Sequence, residues 1–169
     1  NTSLSSNPLT VTVDQTATIV TGVGIDLDAG SDSGFLDNDN NTNINTPTLN
    51  LSGLVATDSV WLYIDDVLSK RGLAASTTLS LTTDVLSDNN YEFKIKAKDF
   101  AGNVSEFSPS LNIIVDTTPY TITSNPDLLE SDDSGFLTDD DLTNVRVPSF
   151  EFDELSSKAD SIKLFVNNG

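Results

Sequence analysis

The feature that most constrains this chain is an internal repeat of about one hundred residues. Asp26-Leu27 and Ser31-Asp32-Ser33-Gly34-Phe35-Leu36 return, at an offset of 101, as Asp127-Leu128 and Asp132-Asp133-Ser134-Gly135-Phe136-Leu137. The match runs on through Asp39 and Asp140, Thr42-Asn43 and Thr143-Asn144, and Pro47 and Pro148. After one inserted residue, Val60-Trp61-Leu62-Tyr63-Ile64-Asp65 aligns with Ile162-Lys163-Leu164-Phe165-Val166-Asn167 at an offset of 102. The start of the chain belongs to the same pattern, because Leu9-Thr10-Val11-Thr12-Val13-Asp14 aligns with Leu111-Asn112-Ile113-Ile114-Val115-Asp116. The expected organisation is therefore the last strand of one unit at 1–14, a whole unit at 15–116, and the first half of another at 117–169. A fixed period of this size is the mark of repeated domains.

Within the whole unit, short apolar-alternating stretches separated by turn residues predict an all-β antiparallel sandwich. Strands are expected at 17–23, 47–53, 58–65, 76–82, 90–98 and 109–115, with an ill-defined extra segment at 66–73. The clearest is Tyr91-Glu92-Phe93-Lys94-Ile95-Lys96-Ala97-Lys98, apolar on one face and charged on the other. Repeat alignment places Val60, Leu62 and Ile64 inward and turns Trp61, whose counterpart is Lys163, outward. Tyr91, at the start of its strand, is expected to form the corner found in Ig-type sandwiches.

Composition narrows the chemistry. The 169 residues include no Cys, His or Met and carry a net charge of -18. Imidazole bases, thiolate nucleophiles and thiolate zinc sites are thereby excluded. Eight Lys and Arg against 26 Asp and Glu argue against nucleic acid or an anionic membrane as a partner. No apolar run approaches the roughly 18 residues of a membrane span, so no membrane insertion is expected.

Twelve of the 26 acids fall in two short segments, 26–39 and 127–141, and neither segment holds a Lys or Arg. Uncompensated charge opposes an ordered loop, and a bound cation would relieve it. Calcium, with six to eight oxygen ligands in flexible geometry, fits such a place best. Asp37-x-Asp39-x-Asn41 lacks the glycine and distal glutamate of an EF-hand. The positions acidic in both copies are Asp26 and Asp127, Asp32 and Asp133, Asp39 and Asp140, joined by Asp14 and Asp116 at the strand ends. Asp28 and Asp37 are further candidates, although Leu129 and Thr138 replace them in the second copy. The competing reading is that these aspartates solvate the loops or bond their own turns.

Taken in order, Asp99-Phe100-Ala101-Gly102-Asn103-Val104-Ser105, Ile114-Val115-Asp116-Thr117-Thr118-Pro119 and Asp133-Ser134-Gly135 with Asp140 and Thr143 resemble the bacterial Ig-like repeats of giant calcium-binding adhesins of the RTX type. The first copy departs from the pattern, with Gln15-Thr16-Ala17 where the second has Thr-Thr-Pro. The resemblance implies type I secretion, an extracellular or cell-surface location, and a stalk stiffened by calcium between neighbouring repeats. It also adds Asp99 as a ligand, in a loop at the opposite end of the sandwich from Asp26–Asp39, where junction sites could form. The alternative for Asp99 is a cap on the turn Ala101-Gly102-Asn103 and nothing more. Other classes remain open: a module that binds carbohydrate or protein through Trp61 and Tyr63, or a fibre subunit linked by strand exchange between molecules. A two-carboxylate glycosidase is disfavoured, because repeated acidic loops do not make one asymmetric cleft.

Overall fold

The structure, a computed structural model, describes residues 5–34, 36, 38–122, 125–137, 140–152 and 162–166. It divides into two compact units, 1–117 and 118–169. The described residues form strands and no helix.

Unit one holds eight strands: β1 (Gly24–Leu27), β2 (Asn41–Thr42), β3 (Thr48–Ser52), β4 (Ser59–Ile64), β5 (Val67–Leu73), β6 (Thr78–Thr82), β7 (Asn89–Lys98) and β8 (Leu111–Val115). They make a three-stranded sheet in the order β1-β3-β6 and a five-stranded sheet in the order β2-β8-β7-β4-β5. All pairings are antiparallel except β2 with β8, which is parallel.

Period-two alternation turns alternate residues into the space between the sheets. Leu49 and Leu51 come from one sheet, and Val60, Leu62, Phe93, Ile95 and Ile113 from the other, all at most 1% exposed. With Leu27, Ala97 and their neighbours they form one continuous core, so the two sheets are the layers of a sandwich. Val60, Leu62 and Ile64 face inward, as the repeat alignment requires. The corner at Tyr91 is present too: its hydroxyl donates to the Ser87 carbonyl, 3.0 Å away.

Three expectations need correction. No strand forms at 17–23. Val20 and Val23 are both buried, three residues apart, and the Val23 N–H donates to the Val20 carbonyl, so this stretch is a turn seated on the core. The first strand starts one residue later, at Gly24. The acidic segment is not loop throughout, since it begins in β1 and runs straight into β2. The ill-defined stretch 66–73 is β5, joined to β4 by the two-residue turn Asp65-Asp66, both with positive φ (48° and 65°). Such a turn matches the twist of the flanking strands, and Asp tolerates the left-handed region better than most residues.

Strand β7 sets the long dimension. Lys98 pairs with Ser59 at one end and Asn89 with Val115 at the other, which at about 3.4 Å per residue puts the ends about 30 Å apart. At the Lys98 end Thr18 Oγ1 donates to Asp58 Oδ2 at 2.6 Å, and Asn103 Nδ2 donates to the Asp14 carbonyl at 3.2 Å. At the Asn89 end the Asp116 N–H donates to the Thr42 carbonyl, and Thr117 donates through its N–H and hydroxyl to Asp88 Oδ1. The chain therefore enters unit one at one pole and leaves it at the other.

In unit two, β9 (Asp127–Leu128) pairs antiparallel with β10 (Phe150–Glu151), the register of Leu128 with Phe150 repeating that of Leu27 with Leu49.

Phe93→Ala should cost unit one about 3–5 kcal/mol in urea denaturation, the range for emptying a fully buried aromatic site, while Phe136→Ala at 99% exposure should move stability by less than about 0.5 kcal/mol.

Candidate functional site

The acidic segment of unit one is ordered by its own side chains. Asp28 Oδ1 accepts from the Gly30 N–H (3.0 Å) and Oδ2 from Asn50 Nδ2 (2.8 Å). Asp32, 6% exposed, accepts from the Asn40 N–H through Oδ2 (3.2 Å), and Asp39 Oδ1 accepts from the Asn41 N–H (3.0 Å). Ser33 Oγ accepts from the Asn43 N–H, Thr42 Oγ1 from the Ile44 N–H, and Ser31 Oγ from the Thr48 N–H. Short polar side chains bonding nearby backbone in this way replace the sheet ladder where the chain turns.

Unit two repeats much of this network at equivalent positions. Asp133 Oδ2 accepts from the Asp141 N–H, Asp140 Oδ1 from Leu142, Ser134 Oγ from Asn144, Thr143 Oγ1 from Val145, and Asp132 Oδ2 from Ser149. Asn40 and Asp141, equivalent in the two copies, both have φ of 59°. Gly34 and Gly135 leave room for the equivalent carboxylates: an added Cβ would lie 3.2 Å from Asp39 Oδ1 in one copy and 2.9 Å from Asp140 Oδ1 in the other. Asp133 is 7% exposed, and its Oδ1 accepts no hydrogen bond from any described residue.

The structure brings Asp28, Asp32 and Asp39 to one pole of unit one together with Asp116, whose N–H is bonded to Thr42. Asp26 is on the same segment but points from β1 to solvent, and its counterpart Asp127 is likewise exposed on β9. Asp37 lies outside the described residues. Asp14 and Asp99 are at the opposite pole, the separation expected of that loop. Among the described residues no three acidic side chains converge on one point.

Asp99 caps its turn. Oδ1 accepts from the Gly102 and Asn103 N–H groups at 2.8 Å each, Oδ2 accepts from Asn103 Nδ2 at 2.9 Å, and Gly102 takes a φ of 101° that a side chain would strain. The Asn103 amide foremost, with the backbone N–H groups of Asn103, Gly102 and Ala101, holds the Asp99 carboxyl below its ordinary 3.8. Because the same Asn103 amide also donates to the Asp14 carbonyl, this cap ties the incoming chain to the pole.

Trp61 does face out, yet it is half-buried. The Arg71 guanidinium lies 5.0 Å over its ring, and its Nε1–H donates to Ser59 Oγ. On the same face Tyr63 meets Phe107 edge-on, with ring centroids 4.9 Å apart, and Lys94 and Lys96 stand over Phe107. Sequence reasoning missed Phe100, which is 94% exposed beside Asp99; an aromatic in a turn offers no periodicity from which to assign its exposure.

Two sheets, a corner tyrosine and a capped turn before the last strand define an Ig-like sandwich. Residues 18–117 match the bacterial Ig-like domain family, and the chain belongs to it. It is also similar to chitinase A1 of Niallia circulans, 39% identical over 72 residues, and to chitinase D of the same organism, 37% identical over 81. These stretches cover 40% and 47% of this chain but only 10% and 15% of the two enzymes. Among solved structures, the spore cortex lytic enzyme SleM of Clostridium perfringens overlaps 42% of this chain and 24% of its own, with 13% identity and a TM-score of 0.34.

A carboxyl held below its ordinary pKa binds protons less readily folded than unfolded, so its contribution is complete above about 3.8 and is lost as pH falls through the folded value. Melting temperatures of wild type and Asp99→Asn should therefore differ at pH 7, wild type being the higher, and converge as pH falls through the folded value.

Proposed function

We propose that this chain is a spacer segment of an extracellular bacterial protein, built from Ig-like units strung end to end and stiffened by calcium at their acidic poles. The observation that carries the reading is the placement of chain inlet and outlet at opposite poles of unit one, with a second copy of the acidic network beginning just after the outlet. An adhesin stalk is the whole protein that the resemblance to adhesin repeats implies.

The stretch 9–13 supports the same organisation. Leu9, Val11 and Val13 are 87%, 71% and 75% exposed, whereas Ile113 and Val115, the counterparts of Val11 and Val13, are buried in β8. Alternating apolar residues without a sheet are what a last strand of a preceding unit would look like alone. Residues 1–14 are assigned that role, 15–116 a complete unit, and 117–169 the start of the next.

Calcium is supported by three features. The acidic segments have no internal cation. Asp39 and Asp140 each accept a backbone hydrogen bond through Oδ1, which leaves carboxylate lone pairs for an ion. The buried Oδ1 of Asp133 accepts from no described residue, an arrangement that costs stability when nothing fills it. Asp32, Asp39 and Asp116 in unit one, with Asp133 and Asp140 in unit two, are the first candidates. Asp26, Asp28, Asp37 and Asp127 flank them, and Asp14 with Asp99 would serve a junction at the other pole.

A second reading, favoured by the two similar chitinases, is an accessory spacer within a secreted polysaccharide-degrading enzyme. Both readings place the chain outside the cell, where millimolar calcium would fill sites of about 10⁻⁴ to 10⁻³ M affinity.

At about 10 mM calcium, a site of about 10⁻⁴ M affinity adds roughly 2.7 kcal/mol, which for a unit of this size raises the melting temperature by at least roughly 10 °C. Calorimetry in calcium and in EGTA should show this rise, and Asp133→Asn should reduce the part belonging to unit two; coincident curves would remove calcium from the account. Neither spacer reading predicts retention of the chain on insoluble chitin, which a pull-down would check.

A further inference from the structure

We propose that the shallow depression at the Asp99 pole of unit one binds an acidic saccharide, a sugar ring that carries a carboxylate. The depression has a volume of about 420 Å³, and its lining includes Thr57, Ser59, Trp61, Arg71, Lys98 and Phe100. That is within the range of small-ligand sites.

Cross-strand register builds it. Trp61 on β4 sits opposite Arg71 on β5, and Ser59 sits opposite Lys98 on β7. Stacking the guanidinium on the indole face keeps its N–H groups in their plane, where they can grip a carboxylate through two parallel bonds. Lys98 adds a second positive charge to the same lining.

Among the described residues neither Arg71 nor Lys98 takes part in an ion pair, those present being Lys70 with Asp84 and Lys94 with Asp66 and Glu92. In a chain with 26 acids and 8 cations, two cations in one lining outside any of these ion pairs are a selective arrangement. Asp99 lines the same depression, and its carboxylate is directed to its own turn by three hydrogen bonds. Phe100, 94% exposed on the same rim, offers a ring on which a sugar can stack. The lining is also strained, because Thr57, a β-branched residue, holds a φ of 80°. Strain of that kind gathers at ligand sites. Aromatic faces with in-plane cations suit a uronic-acid ring, whereas an acidic peptide would have no use for the open face of Phe100.

Affinity electrophoresis of the whole chain through gels containing polygalacturonate, dextran or polyglutamate tests the assignment. Expected is retardation by polygalacturonate alone, weakened about tenfold by Lys98→Gln and by Phe100→Ala, both of which should melt like wild type, and weakened less by Arg71→Lys than by Arg71→Gln. Unretarded wild type would overturn it. So would retardation that Lys98→Gln and Phe100→Ala leave intact, or polyglutamate retarding the chain at least as strongly as polygalacturonate.

Discussion

The structure depends on one strand. β7 is ten residues long, pairs with β8 over its first half and with β4 over its second, and lends Phe93, Ile95 and Ala97 to the core. On the side away from β4, its second half is met by Ser105 and Ser108. Their N–H groups donate to the Ala97 and Ile95 carbonyls while their hydroxyls accept from the N–H groups of the same two residues. This doubled bonding satisfies the buried backbone of β7 beyond the reach of β8. Because every residue of β7 is paired on at least one side, the strand fixes the distance between the two poles, and the candidate sites of the unit lie at one pole or the other.

The poles differ in how they handle charge. At the Asn89 end of β7, Asp32, Asp39 and Asp116 gather, and the carboxylates of Asp32 and Asp39 are held by backbone N–H groups. Hydrogen bonding orders the segment locally but does not neutralise it, and the proposed calcium would offset the charge that is left. At the opposite pole the Asp99 carboxylate accepts three hydrogen bonds from its own turn, while Arg71 and Lys98 take part in no ion pair among the described residues. The two proposals divide accordingly, calcium at one pole and a carboxylate on a partner molecule at the other.

Much of this is legible in the sequence because the repeat acts as an internal control. The pairs Asp32 and Asp133, and Asp39 and Asp140, stand out as acidic in both copies, and each pair makes the same backbone bond in both. The strands carrying Val60 and Phe93 are readable from alternation. β1 and β2 are not, since Gly24-Ile25-Asp26-Leu27 and Asn41-Thr42 are short and poor in strand formers, and their pairing is imposed by neighbours. The segment around Val20 misleads for the opposite reason: its β-branched residues favour a strand, but core contacts hold it as a turn. The hairpin at Asp65-Asp66 lacks the usual glycine, which leaves β5 ill defined in the sequence. The Trp61 and Arg71 stack requires cross-strand register, which one sequence does not contain.

The central claim is that the chain enters and leaves unit one at opposite ends of β7. With no native cysteine, Gln15→Cys and Thr117→Cys give two clean spin-label positions. A double electron–electron resonance measurement should then return a single distance of about 30 Å or more, from the length of a ten-residue strand. A distance below about 20 Å, too short to span that strand, would place both ends at the same pole and contradict the account.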